Sequence, residues 1–220
     1  MTKFDDTWEA KESAKRAWMA EKSLYCEETE HASCGVGLVV SIDGKPSRRV
    51  VENGIAALKA IWHRGAVDAD GKTGDGAGIH VQIPVSFFYD QIRRTGHEPR
   101  KKELIAVGQV FLPRTDFGAQ ETCRTIVESE VLRMGYYIYG WRHVPVEIDC
   151  LGEKANATRP EIEQILISNC KGVDEETFER ELYVIRRRIE KAATFSGVTG
   201  LYIASMSCRS IIYKGMMLAE

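Results

Sequence analysis

The sequence predicts an α+β fold of layered antiparallel sheets, and three observations predict it. Strand-like and helix-like runs alternate along residues 34–215. Several strand-like runs are joined by short connections that suit antiparallel hairpins better than right-handed crossovers. A chain of 220 residues with 44% hydrophobic content can also bury a substantial core.

Residues 5–30 are polar and rich in Glu, Lys and Ala, with Trp8, Ala14, Trp18 and Met19 only loosely spaced for an amphipathic helix. Composition changes abruptly after His31-Ala32-Ser33. "CGVGLVVSI" then reads as a strand running to an Asp43-Gly44 turn. "SRRVVENGIAALKAIWHR" (47–64) spaces Val50, Val51, Ile55, Leu58 and Ile61 as a helix capped by Ser47 and packed on a sheet. A Gly- and Asp-dense loop fills 65–78, and "IHVQIP" alternates as a strand up to Pro84.

"LIAVGQVFLP" (104–113) reads as a buried strand, 116–135 as a helix ending at Gly135, and "YYIYGWRHVPVEI" (136–148) as another strand region. "GEKANATRP" (152–160) reads as a polar loop with no assignable chemistry. "RPEIEQILIS" (159–168) reads as a strand, and 174–194 as a strong helix with Asp174 as its N-cap. "LYIASMSCRSIIYKG" (201–215) reads as a pair of strands.

Charge is nearly balanced, with 30 Lys plus Arg against 32 Asp plus Glu, so no net pull toward nucleic acid or an anionic membrane is expected. No apolar run reaches the ~18 to 20 residues that span a bilayer, and the N-terminus lacks a secretory apolar region. The expectations are a cytoplasmic chain with no nucleic-acid and no membrane partner. The six cysteines show neither CxxC nor Cys/His ligand spacing, so no metal site is expected, and most read as buried thiols.

Two stretches can carry chemistry. Cys34 opens the first strand-like run beside Gly35 and Gly37, whose lack of bulk lets substrate approach a sulfur; an inert core thiol fits the same position. In "HRGAVDADGKTGDGAG", Arg64 offers a planar fork for a carboxylate and an Asp can hold an ammonium, the two ends of an amino acid; an ordinary turn fits too. No Glu closes an EF-hand loop, and the Lys-Ser/Thr ending of a P-loop is absent. His63 and His80 lack a spaced partner and are assigned no catalytic role.

Cys34-Gly35-Val36-Gly37, Trp62-His63-Arg64-Gly65-Ala66 and Gly74-Asp75-Gly76-Ala77-Gly78-Ile79 closely resemble the start of the glutaminase domain of glutamate synthase large subunits, the bacterial form above all. The resemblance continues through "AVGQVFLPR", "GYYIYGWRHVPV", "GEKANATRPEIEQ", "LYVIRRRIEK" and "SIIYKGMMLAE", so it covers residues 34–220. It implies a class II glutamine amidotransferase with the N-terminal-nucleophile αββα sandwich of two antiparallel sheets. It further implies that residues 1–33 are a propeptide-like leader and that Cys34 is the catalytic nucleophile once the leader is removed. Arg64 and Gly65 would line the substrate pocket, and Asp75 and Gly76 would form a supporting loop.

By the same resemblance the substrate is L-glutamine. The partners are the remaining domains of the large subunit and a small subunit that oxidises NAD(P)H. FMN and an iron-sulfur cluster belong to downstream domains, and no cofactor is expected in this chain. The family's oxyanion pair and its clamps for the glutamine carboxylate and amine come later than Glu220. Residues 34–220 are thus expected to be an incomplete N-terminal portion of the domain, close to inactive and poorly soluble alone. A non-catalytic remnant that keeps the fold, or another N-terminal-nucleophile amide hydrolase, are the alternatives.

Overall fold

The computed structural model describes residues 7–23, 25–26, 35–61, 65–100 and 102–218. Contacts divide the chain into a unit of residues 1–34 and a unit of residues 35–220. Within the first, helix α1 (Thr7–Lys22) forms where Ala, Glu and Lys dominate, and Ser23 closes it by donating to the Met19 carbonyl at 2.6 Å. Trp18 is 62% exposed, in keeping with loosely spaced apolar positions.

In the second unit, α2 (Arg48–Ala60) begins at Ser47, whose hydroxyl accepts from the Val50 N–H at 3.4 Å. It lies against β1 (Thr73–Gln82), with Gly54 opposite Ile79, but none of its residues is fully buried. Then follow α3 (Val85–Arg94), β2 (Ile105–Leu112), α4 (Phe117–Arg133), β3 (Tyr137–His143), α5 (Glu153–Thr158), β4 (Glu161–Ser168), α6 (Glu175–Phe195), β5 (Tyr202–Ser207) and β6 (Ser210–Met217).

The strands form two antiparallel sheets, one of order β3-β4-β2-β5 and one of β1 with β6. Period-2 alternation along β2 and β4 decides which face of the larger sheet each side chain meets. Ala106, Val110, Leu112, Ile165 and Ile167 face α4 and α6, whose Cys123, Val127, Val131, Phe178, Leu182, Ile185 and Ile189 complete one core. Ile105, Val107 and Leu166 face the other way, onto Ile211 and Tyr213 of β6 and Phe88 and Ile92 of α3. The result is two stacked sheets with helices packed on them, the α+β architecture the sequence predicts.

The predicted Asp174 cap forms, accepting from Thr177 N–H at 2.9 Å, and Asp116 caps α4 in the same way, accepting from Ala119 N–H at 2.9 Å. The helix predicted to end at Gly135 does so in a left-handed turn, φ 79°.

Several expectations are corrected. The described part of "CGVGLVVSI" is not a strand, since residues 35–41 make no ladder. Val36 is 91% exposed, and the segment walls an open groove of about 1270 Å³ with α2 and the end of β1. Its alternating pattern satisfies one requirement of a strand, whereas a paired edge, the other requirement, is missing among the described residues. The predicted turn behind it does form, with Gly44 at φ 66° and its N–H on the Ser41 carbonyl at 3.1 Å.

The loop expected over 65–78 ends early, because Thr73–Gly78 already belong to β1. Gly76 sits at φ 121° where the register with β6 is irregular, and a Cβ on Gly78 would stand 2.9 Å from the Tyr213 carbonyl oxygen. Glycines read as loop formers are therefore a bulge and a close backbone approach.

The hairpin expected of the last strand pair does not form: β5 and β6 are consecutive yet pair into different sheets, whereas consecutive β3 and β4 pair antiparallel across α5. The corner between them is held by Glu179 of α6, whose carboxylate accepts from the Cys208 and Arg209 N–H groups at 2.5 and 3.2 Å. The cysteines also depart from expectation. Only Cys123 is buried, Cys26 and Cys150 are exposed, and Cys170 and Cys208 are intermediate, because three of these four sit in turns or at the strand corner; Cys34 lies outside the described residues.

Candidate active site

Of the side chains expected to act, Cys34 and Arg64 lie outside the described residues, as does His63. Gly65, Asp75 and Gly76 are described, and the chain between them is closely tied.

One Asp75 carboxylate oxygen accepts from the Ala66 N–H at 3.0 Å, and the Asp75 N–H donates to the Ala66 carbonyl at 3.3 Å. The residue following Gly65 is thus fixed at both its polar backbone atoms by one aspartate. Beyond it Val67 bridges Gly74, the Asp68 N–H donates to the Thr73 carbonyl at 2.9 Å, and the Gly71 N–H to the Asp68 carbonyl at 2.9 Å. Together these make a small closed hairpin from Ala66 to Asp75 that leads into β1. Gly71, at φ 70°, supplies its left-handed turn.

Asp70 organises the tip. Its carboxylate accepts from the Thr73 hydroxyl, from the Thr73 N–H at 2.7 Å and from the Lys72 N–H at 3.0 Å. The Thr73 hydroxyl is the foremost cause that holds this carboxyl far below the usual carboxylate range, so it stays ionised deep into acid. Asp68 is likewise held low, first by the Lys154 ammonium, which contacts its two oxygens at 2.9 and 2.8 Å.

The segment behind this hairpin, read from sequence as a loop, is the helix α5. Its signal was present in the sequence: Glu153 in a first turn, Ala155 and Ala157 as helix formers, and a stop before Arg159-Pro160.

His80, assigned no role, pairs its ring Nε2 with the Ser210 hydroxyl at 2.6 Å across the β1–β6 ladder. Between the sheets, sequence reading missed a satisfied polar network. Arg142 donates to the Gln164 and Gln91 carbonyls at 2.9 and 3.3 Å, and Gln164 donates to Gln109 at 2.8 Å.

The one grouping of three ligand-type side chains among the described residues is His143, Glu161 and Glu163. Arg124 already holds Glu163 through two hydrogen bonds of 2.8 and 2.6 Å, and no thiolate is present, so the group does not fit an iron-sulfur cluster. Two further thiols, Cys123 and Cys208, are poor competitors for nucleophilic work. Burial, followed by Glu179, pushes the Cys208 thiol up to about 12, and burial raises that of Cys123. No described helix is long and apolar enough to cross a membrane.

Residues 34–220 match the family described as glutamine amidotransferases class-II. The chain is 62% identical over 207 residues to the glutamate synthase [NADPH] large chain of Azospirillum brasilense, covering 94% of this chain and 14% of that one. Over 204 residues it is 35% identical to the corresponding large chain of Bacillus subtilis, covering 90% and 13%. Over 193 residues it is 38% identical to the ferredoxin-dependent glutamate synthase 1 of Arabidopsis thaliana, covering 87% and 12%. The chain thus spans about one-seventh or less of the length of these relatives.

Proposed function

The chain belongs to the class-II glutamine amidotransferases, whose fold is that of the N-terminal-nucleophile hydrolases, and from that membership we propose that it carries the glutaminase half-reaction of a bacterial-type glutamate synthase large subunit. One observation carries the reading: the family match starts at Cys34, the residue that the sequence singles out as a nucleophile and that follows a compositionally distinct leader.

Residues 1–33 are then a leader whose removal gives Cys34 a free α-amine. An unperturbed α-amine titrates near ~7.7 to 8.0 and a thiol near ~8.5, so at neutral pH the amine can take the thiol proton without a partner histidine. The thiolate adds to the side-chain amide carbon of L-glutamine, and the tetrahedral intermediate returns the amine's proton to the leaving nitrogen. Ammonia departs, leaving a γ-glutamyl thioester. Water adds to that thioester and releases glutamate and the thiol. Arg64 and Gly65 line the pocket, with Arg64 organising the site, and the hairpin closed by Asp75, followed by Gly76, supports them.

Ammonia then passes to the remaining domains of the large subunit for reductive transfer to 2-oxoglutarate, with a small subunit oxidising NAD(P)H. FMN and the iron-sulfur cluster belong to those other domains, and no step here runs through them. The setting is the cytoplasm. The test is glutamine hydrolysis by the complete large subunit: glutamate and ammonia released in equal amounts are expected, and no release above the rate in buffer would overturn the reading.

A further inference from the structure

Helix α5 lacks a cap of its own. Its N-cap residue is Gly152, which has no side chain to accept from the first-turn N–H groups, yet these groups are not left to solvent. The Thr73 hydroxyl accepts from the Ala155 N–H at 3.3 Å and in turn donates to the Asp70 carboxylate. Thr73 thus does for α5 what an N-cap Ser or Asp does for an ordinary helix, and Asp70 holds that hydroxyl in place. Their approach depends on the glycine: a Cβ on residue 152 would stand 2.5 Å from the Thr73 backbone nitrogen, and closer still to the Thr73 hydroxyl and the Asp70 carboxylate. Lys154 adds its contact to Asp68, and Lys72 reaches the Asp149 carbonyl at 3.4 Å.

The hairpin that receives this support is the one whose base is Gly65 and Ala66. We propose that Asp70, Thr73 and Gly152 are positioning residues for glutamine binding: by docking the hairpin on α5 they hold its Gly65-Ala66 base, the described edge of the proposed pocket, in its binding geometry. This assignment rests on the functional reading above. The acting group is Asp70 rather than the Lys154–Asp68 pair, because that pair is largely solvent-exposed and such pairs contribute little. The Asp70 carboxylate, by contrast, holds both the N–H and the hydroxyl of Thr73, the residue that reaches the helix end.

The experiment compares Asp70→Ala, Asp70→Asn and Gly152→Ala with the parent in the complete protein, reading glutamine kinetics together with amide hydrogen exchange. Loss of the dock lowers the fraction of molecules whose pocket edge is in place, and apparent affinity falls in proportion. The expectation is a KM for glutamine raised about fivefold to tenfold in Asp70→Ala and Gly152→Ala with kcat within about twofold, the size of a lost cap. Partial rescue is expected in Asp70→Asn. Exchange at Ala66 and Thr73 should quicken while β2 and β4 stay protected, which a general loss of folding would not produce. Unchanged exchange at Ala66, or faster exchange with a parental KM, overturns the proposal. If the parent fails to hydrolyse glutamine, the functional reading falls separately, and unchanged Ala66 exchange would still sink the dock.

Discussion

Replacing Cys34 by alanine is expected to bring glutamine hydrolysis to background, a fall in kcat of about a million-fold on the scale seen when a covalent nucleophile is removed. The size follows from the chemistry, because the thiolate supplies the bond that splits one difficult displacement into two easier ones, and neither Cys123 nor Cys208 is suited to replace it. Cys208 is held protonated up to about 12 by burial and Glu179, and Cys123 is buried. Glutamine binding should survive, since Cys34 is proposed to supply the attacking sulfur and not the groups that hold the substrate. Equilibrium binding of glutamine to Cys34→Ala, beside the kinetic assay, separates the two. Residual hydrolysis within about tenfold of the parent would mean that another group attacks the amide.

The second large effect is on stability. Phe178→Ala should cost about 3–5 kcal/mol, because the ring is fully buried in the first turn of α6. It packs against the Tyr136 ring at a centroid distance of 4.9 Å and faces the core that α4, α6 and the larger sheet share. Domains of this kind are stable by only about 5–15 kcal/mol, so a single such cavity removes a large part of the total. Tyr183→Ala, on the same helix but 62% exposed, should change stability by no more than about 0.5 kcal/mol. Urea unfolding of the two variants checks both, and equal midpoints would contradict the assigned faces of α6.

Where one local signal decided an outcome, the sequence was enough. Asp116 and Asp174 cap their helices, Gly135 ends α4, and the apolar runs 105–112 and 161–168 are buried strands. Where the outcome depended on what lies alongside in space, it was not. Residues 35–41 alternate as a strand does but find no partner edge, and the glycines of "TGDGAG" read as a loop until β6 is placed against them. The hairpin expectation for β5 and β6 failed because the corner held by Glu179 turns the chain from one sheet to the other, whereas consecutive β3 and β4 do pair.

The site divides in the same way. Cys34 and Arg64 were legible as residue types and through a family resemblance, and Asp75 as a loop residue beside them. Its bonds to Ala66 show how a turn residue supports its neighbour. The role of α5 was hidden because its cap comes from Thr73, more than eighty residues earlier, and short-range capping rules look only at adjacent positions.

The measurement that bears most directly on the whole account is the intact mass of the active protein after reaction with a glutamine-analogue electrophile. The prediction is a mature chain that begins at Cys34 and carries a single label on that residue. An active chain that retains residues 1–33, or a label on any other residue, would contradict it.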